Sequence, residues 1–121
     1  MNEDEVLAFV HTDIGSVWAL ELLIFLKRNP KRNWKLADLV LELRSSSTAV
    51  IQAAARLQAA GFISEKSKGT YRFEPRSPRH YEMAIAIESL YAEKPMALIK
   101  AIAAIPDEKL RNFSDAFKLR E

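Results

Sequence analysis

Over residues 12–28, 36–43 and 48–60 the apolar positions recur at the three-to-four spacing of helices, and over 62–74 they alternate as in strands. The first stretch predicts a helix from Thr12 or Asp13, acting as N-cap, to Arg28. Its apolar residues, Ile14, Val17, Trp18, Leu20, Leu22 to Leu26, cover most of its circumference, so it must be covered on more than one side. A second helix is expected from about Leu36 to Leu43, with Leu36, Leu39, Val40 and Leu43 in one stripe. A third opens after Ser45-Ser46-Ser47 and runs to Ala60, its inner stripe being Val50, Ala53, Ala54 and Leu57. Gly61 then supplies a residue that turns left-handed at little cost. Trp34 sits between the first two helices in a short segment able to pair as a strand.

Phe62 to Lys66 and Thr70 to Glu74 are two β-prone stretches around Ser67-Lys68-Gly69, the pattern of a hairpin. Tyr71 and Phe73 fall on one face of it, and Thr70, Arg72 and Glu74 on the other. Ser77-Pro78 then reads as a cap and an N1 proline, opening a helix to about Tyr91 or Ala92. Pro95 starts a shorter apolar helix through Met96, Leu98, Ile99, Ile102 and Ile105. Pro106-Asp107-Glu108 opens a last one, its acids suited to the positive end of the helix dipole and its stripe formed by Leu110, Phe113 and Phe117.

Length and composition change this picture little. The chain has 121 residues, 49% hydrophobic and 28% charged, which fits one domain with a real core. It has no cysteine, which excludes disulfides and thiolate metal sites. The acidic start Met1 to Glu5 is the opposite of a signal-peptide n-region, and the run Leu22 to Leu26 is far too short to cross a bilayer. A cytoplasmic protein that does not enter membranes is expected. Charge is more informative, because it is unevenly spread. Residues 1–26 carry five acids and no Lys or Arg, whereas residues 27–79 carry twelve Lys or Arg against four acids. A basic middle points to a polyanionic partner.

The order helix, short strand, helix, tight turn, helix, hairpin is that of a winged helix-turn-helix. The stretch from Leu36-Ala37-Asp38-Leu39-Val40 through Val50 and Leu57 to Gly61-Phe62-Ile63 resembles the MarR-like group of bacterial transcription regulators. The resemblance covers roughly residues 14–75. It implies a mainly α chain with a small β-hairpin (α+β): an acidic N-terminal segment at 1–11, a winged helix-turn-helix at 12–76, and C-terminal helices at 77–121. Winged helices also serve as protein-binding modules, so an adaptor within a larger complex is the alternative.

A recognition helix packs one stripe inward and shows the other to the major groove. Opposite Val50, Ala53, Ala54 and Leu57 lie Thr48, Gln52, Ala55 and Ala59, flanked by Ile51 and Arg56. Gln52 can bond an adenine edge, Thr48 a base or phosphate, and Ile51 can meet a thymine methyl. Ser46 and Ser47, with Ser45, stand at the helix start, where one is the N-cap and the free N–H groups favour a phosphate. On the hairpin, Lys66, Lys68 and Arg72 are candidates for backbone phosphates, as are Lys31, Arg32 and Lys35 before the second helix. Arg56 is the lone base on the outer face, so sequence preference is expected to lean on the wing, on DNA shape or on a partner.

Nothing in the chain points to catalysis. Only His11 and His80 are histidines, and there is no phosphate-binding glycine loop or nucleophile elbow. Neither a metal nor a cofactor is expected. Trp18, Tyr81, Tyr91, Phe113 and Phe117 can line a ligand pocket, but core or dimer packing is the plainer account. The apolar surplus of the outer helices predicts a homodimer through Leu98, Ile102, Leu110, Phe113 and Phe117, which would read two half-sites of double-stranded DNA.

Overall fold

The computed structural model describes residues 1–104. Helical structure begins earlier than the apolar spacing indicates. α1 (Glu3–Phe9) opens on Asn2, whose side-chain oxygen accepts from the Glu5 N–H at 2.8 Å, and Glu3, Asp4 and Glu5 occupy the first turn, where the dipole favours them. It passes into a π-helical turn (Val10–Ile14) that ends at Gly15, whose φ is 70°. Ser16, extended, then accepts from the Ala19 N–H at 3.0 Å and starts α2 (Val17–Arg28).

The continuous helix expected from Thr12 or Asp13 to Arg28 is therefore two helices, bent by 107° about Gly15-Ser16. The reason is local. A glycine that turns left-handed followed by a serine that caps is a stop and a start side by side. Ile14 and Val17 keep the helical spacing across the break, which hides it from the apolar pattern. The acidic residues 3–5 likewise belong to a helix.

The next elements match the pattern closely. α3 (Leu36–Leu43) ends on Arg44, in left-handed geometry at φ 52°, and α4 (Ser47–Ala60) begins on Ser46 and ends on Gly61 at φ 89°. The expected hairpin is β2 (Ile63–Ser67) and β3 (Thr70–Phe73), with a bulge between Glu65 and Ser67 and Gly69 turning at φ 75°. β1 (Trp34–Lys35) adds to the outer side of β3, pairing Trp34 with Tyr71 and Lys35 with Thr70, so the sheet order is β1-β3-β2. α5 (Pro78–Glu93) is capped by Ser77, and α6 (Pro95–Ala103) follows directly. The chain is thus mainly α with a small antiparallel sheet.

One apolar core runs through every layer. It joins Val6, Val10 and Ile14 of the N-terminal arm to Leu20, Leu23 and Leu26, to Leu39 and Leu57, to Phe62 and Tyr71, and to Ile87 and Leu98. Each fully buried Leu or Ile contributes about 2 kcal/mol from apolar burial. Leu98, expected at a dimer face, is wholly buried within this single chain, where α6 packs on the π turn and α5. Its apolar surface is consumed by the arm that the sequence pattern did not reveal as a helix. Ile102 packs, partly buried, against the same core. Leu110, Phe113 and Phe117 lie outside the described residues.

Polar ties fix α5 to α2. Glu88 accepts from Lys27 Nζ at 2.7 Å and Arg28 Nε at 2.6 Å, and the Lys27 bond above all holds its carboxyl below the usual range. Tyr91 donates to Glu21 at 2.6 Å, which pushes its phenol up to about 12. Among the described residues no single helix is long and apolar enough to cross a membrane.

Candidate nucleic-acid interface

α4 is held by its inner stripe. Val50, Ala53, Ala54 and Leu57 are buried, and the small alanines let the helix lie close to α2. The opposite face is open to solvent along its whole length: Ser47, Thr48, Ile51, Gln52, Ala55, Arg56 and Ala59 are all exposed. Ser46 is the cap, its hydroxyl accepting from the Ala49 N–H at 3.1 Å, and it too is exposed. The start of α4 therefore presents hydroxyls and free backbone N–H groups together. Its turn from α3 also presents Arg44, an exposed cation that sequence reasoning left out. Arg44 keeps a left-handed backbone that disfavours a side chain. Its position just before the serine run was the available signal.

The basic segments before α3 and in the hairpin meet through the backbone. β1 pairs with β3, the Leu36 N–H donates to the Gly69 carbonyl at 2.8 Å, and Arg72 Nε donates to the Pro30 carbonyl at 3.1 Å. Lys31, Arg32, Lys35, Lys68 and Arg72 thus gather around one end of the sheet. This gathering depends on β1, a two-residue strand, which positions the loop cations beside the turn.

The cations differ in how free they are. Arg32 lies 3.7 Å over the Trp34 ring and 3.4 Å from Asp38, and Arg72 is bound to Pro30. Lys66 pairs with Glu74 at 2.5 Å, and that bond is the main reason the Glu74 carboxyl sits below its ordinary value. Arg56 is turned to the N-terminal arm, where its Nε donates to the Ile14 carbonyl at 2.9 Å beside Gly15. Lys31, Lys35 and Lys68 are exposed with no side-chain partner among the described residues.

Two apolar side chains stand out on the same helices: Leu41 of α3 is 77% exposed and Ile51 of α4 is 48% exposed. Among the described residues, no group of His, Asp and Glu is arranged to hold a metal ion. No family model, curated protein or solved structure matches this chain.

Proposed function

We propose that this chain is a winged helix-turn-helix regulator that binds double-stranded DNA, with α4 in the major groove and the β2–β3 hairpin as the wing. The observation that carries the reading is the division of α4. Its inner stripe is buried, while its outer face is open from the capping serine to Ala59, mostly small side chains with the serines, Thr48 and Gln52 as its polar groups. That is what a helix needs in order to enter a groove about 12 Å wide. The cluster of Lys31, Lys35 and Lys68 supplies phosphate contacts that position the helix. Gln52 and Thr48 supply what base reading there is, and Arg56, engaged with the arm, adds little. A cytoplasmic location and a homodimer on two half-sites belong to the same reading.

Fluorescence anisotropy on a random duplex tests it. Binding at about 50 mM salt that weakens steeply by about 200 mM is expected from counterion release. Exposed Leu41 and Ile51 favour a second reading, an adaptor whose α3–α4 surface meets another protein. A chain that binds no duplex even at about 50 mM salt removes the first reading and leaves the second.

A further inference from the structure

A groove of about 500 Å³ opens between the N-terminal arm and the start of α5. Its size falls within the roughly 300–1,000 Å³ of ordinary small-ligand sites. Ala8, Phe9 and Met83 give it an apolar floor. One wall, from α1 and the π turn, carries Glu5, Thr12 and Asp13, and the other, from the first turn of α5, carries Arg79 and His80. Two acids thus face two basic groups across an apolar strip. Neither Glu5, Asp13 nor Arg79 forms an ion pair among the described residues, although five other pairs do form there. His80 Nδ1 lies 2.7 Å from the Ser77 hydroxyl, which fixes the ring, and its edge meets Phe62.

Opposite charges that share a groove without pairing offer a ligand an anionic contact on one side, a cationic contact on the other and an apolar strip between. We propose that this groove binds a small zwitterion whose amine and carboxylate are separated by an apolar, preferably flat, spacer. The ammonium goes to Asp13 and Glu5. The carboxylate goes to Arg79, His80 and the α5 start, where the dipole also favours an anion. The spacer lies on Phe9 and Met83. A singly charged molecule satisfies one wall and leaves the other unmatched, so recognition requires both ends.

The groove is also well placed to act on α4. Its arm wall leads into Ile14-Gly15, which Arg56 of α4 grips, and its α5 wall rests through His80 on Phe62, directly after the end of α4. Any effect of the ligand on DNA rests on the function proposed above, whereas the site itself does not.

Calorimetry on the full chain without DNA tests the site, with para-aminomethylbenzoate as probe and para-toluate and para-methylbenzylamine as its singly charged counterparts. The zwitterion is expected to bind at least about tenfold more tightly than either. Asp13→Asn should erase its advantage over the carboxylate, and Arg79→Gln its advantage over the amine, each variant keeping the parent circular dichroism. No heat with the zwitterion at millimolar concentration, equal binding of the three molecules, or unchanged discrimination in both variants overturns the proposal and leaves the DNA reading untouched.

Discussion

Among the described residues Lys31, Lys35 and Lys68 have no side-chain partner, while Arg32, Lys66 and Arg72 are each engaged with a carboxylate, a ring or a carbonyl. A phosphate reaching the second set must displace an existing contact, whereas the first set has none to give up. On the proposed function the two sets should therefore contribute unequally to DNA affinity, even though sequence alone ranks them together. Each phosphate neutralised by a lysine contributes about 0.9 to the slope of log K against log salt. Replacing Lys31, Lys35 and Lys68 together by Gln should reduce that slope by about 2.7. Across the fourfold salt range from about 50 to 200 mM, the variant's affinity should then change by roughly 40-fold less than the parent's.

The matching triple variant Arg32→Gln, Lys66→Gln, Arg72→Gln should lower the slope by less than about 1, because its charges are already partly compensated. Anisotropy titrations of all three proteins at four or more salt concentrations measure both slopes directly. An unpaired triple that keeps the parent slope, or a paired triple that loses as much as the unpaired one, refutes the assignment of phosphate contacts.

Gly15→Ala should cost about 2 kcal/mol: about 1 for a left-handed φ with a side chain, and the rest for displacing the Arg56 guanidinium from the Ile14 carbonyl. Thermal unfolding should show it as a fall in Tm of roughly 8 °C, and an unchanged Tm counts against the Arg56 tie. Leu98→Ala should cost about 3 kcal/mol in urea unfolding, independent of protein concentration, since Leu98 is buried within one chain. A cost that vanishes on raising the concentration would return Leu98 to a subunit interface. Tyr91→Phe should flatten the alkaline limb of stability. The hydrogen bond to Glu21 raises the folded pKa to about 12 from 10.0, so the contribution of this phenol is complete below pH 10 and disappears between there and pH 12. Denaturant midpoints from pH 9 to 12 that fall in parallel for the variant and the parent contradict that linkage.

What was legible in the sequence was legible for a physical reason. The stripes Leu36-Leu39-Val40-Leu43 and Val50-Ala53-Ala54-Leu57 each turn one side of their helix to the core while the other side stays open, so period and burial coincide. Ser46, Gly61, Ser77 and Pro78 mark ends because their chemistry acts within one turn. The break at Gly15-Ser16 was missed although its cause is local, because Ile14 and Val17 keep the helical spacing across it; the other misses depend on long-range contacts. Residues 3–14 fold as a helix because Val6, Val10 and Ile14 find α2, α5 and α6, partners that local spacing cannot supply. The fates of Arg72 and Arg56 likewise hinge on carbonyls 42 residues away in sequence, so counting charges placed both on the candidate surface without revealing that each was already engaged.

The engagement of Arg56 bears directly on what kind of reader α4 can be. The C-terminal half of α4 is held by groups from the N-terminal arm and from the segment leading into α5. Arg56 is bound to the arm at Ile14, while the Arg76 N–H donates to the Gly61 carbonyl at 2.8 Å and His80 rests on Phe62. A helix so fixed presents one geometry, which suits a groove, but its single outward guanidinium is consumed in the fixing. Gln52 and Thr48 are left as the polar readers among alanines and Ile51. One bidentate amide discriminates among bases by about 1–3 kcal/mol, too little for a lone site against bulk DNA. On the proposed function, further selectivity would come from the wing and DNA shape, from doubling that contribution across two half-sites, or from a surface such as Leu41 and Ile51 that adds a second macromolecule. The proposed homodimer is one of the ways in which a donor-poor α4 would reach selectivity.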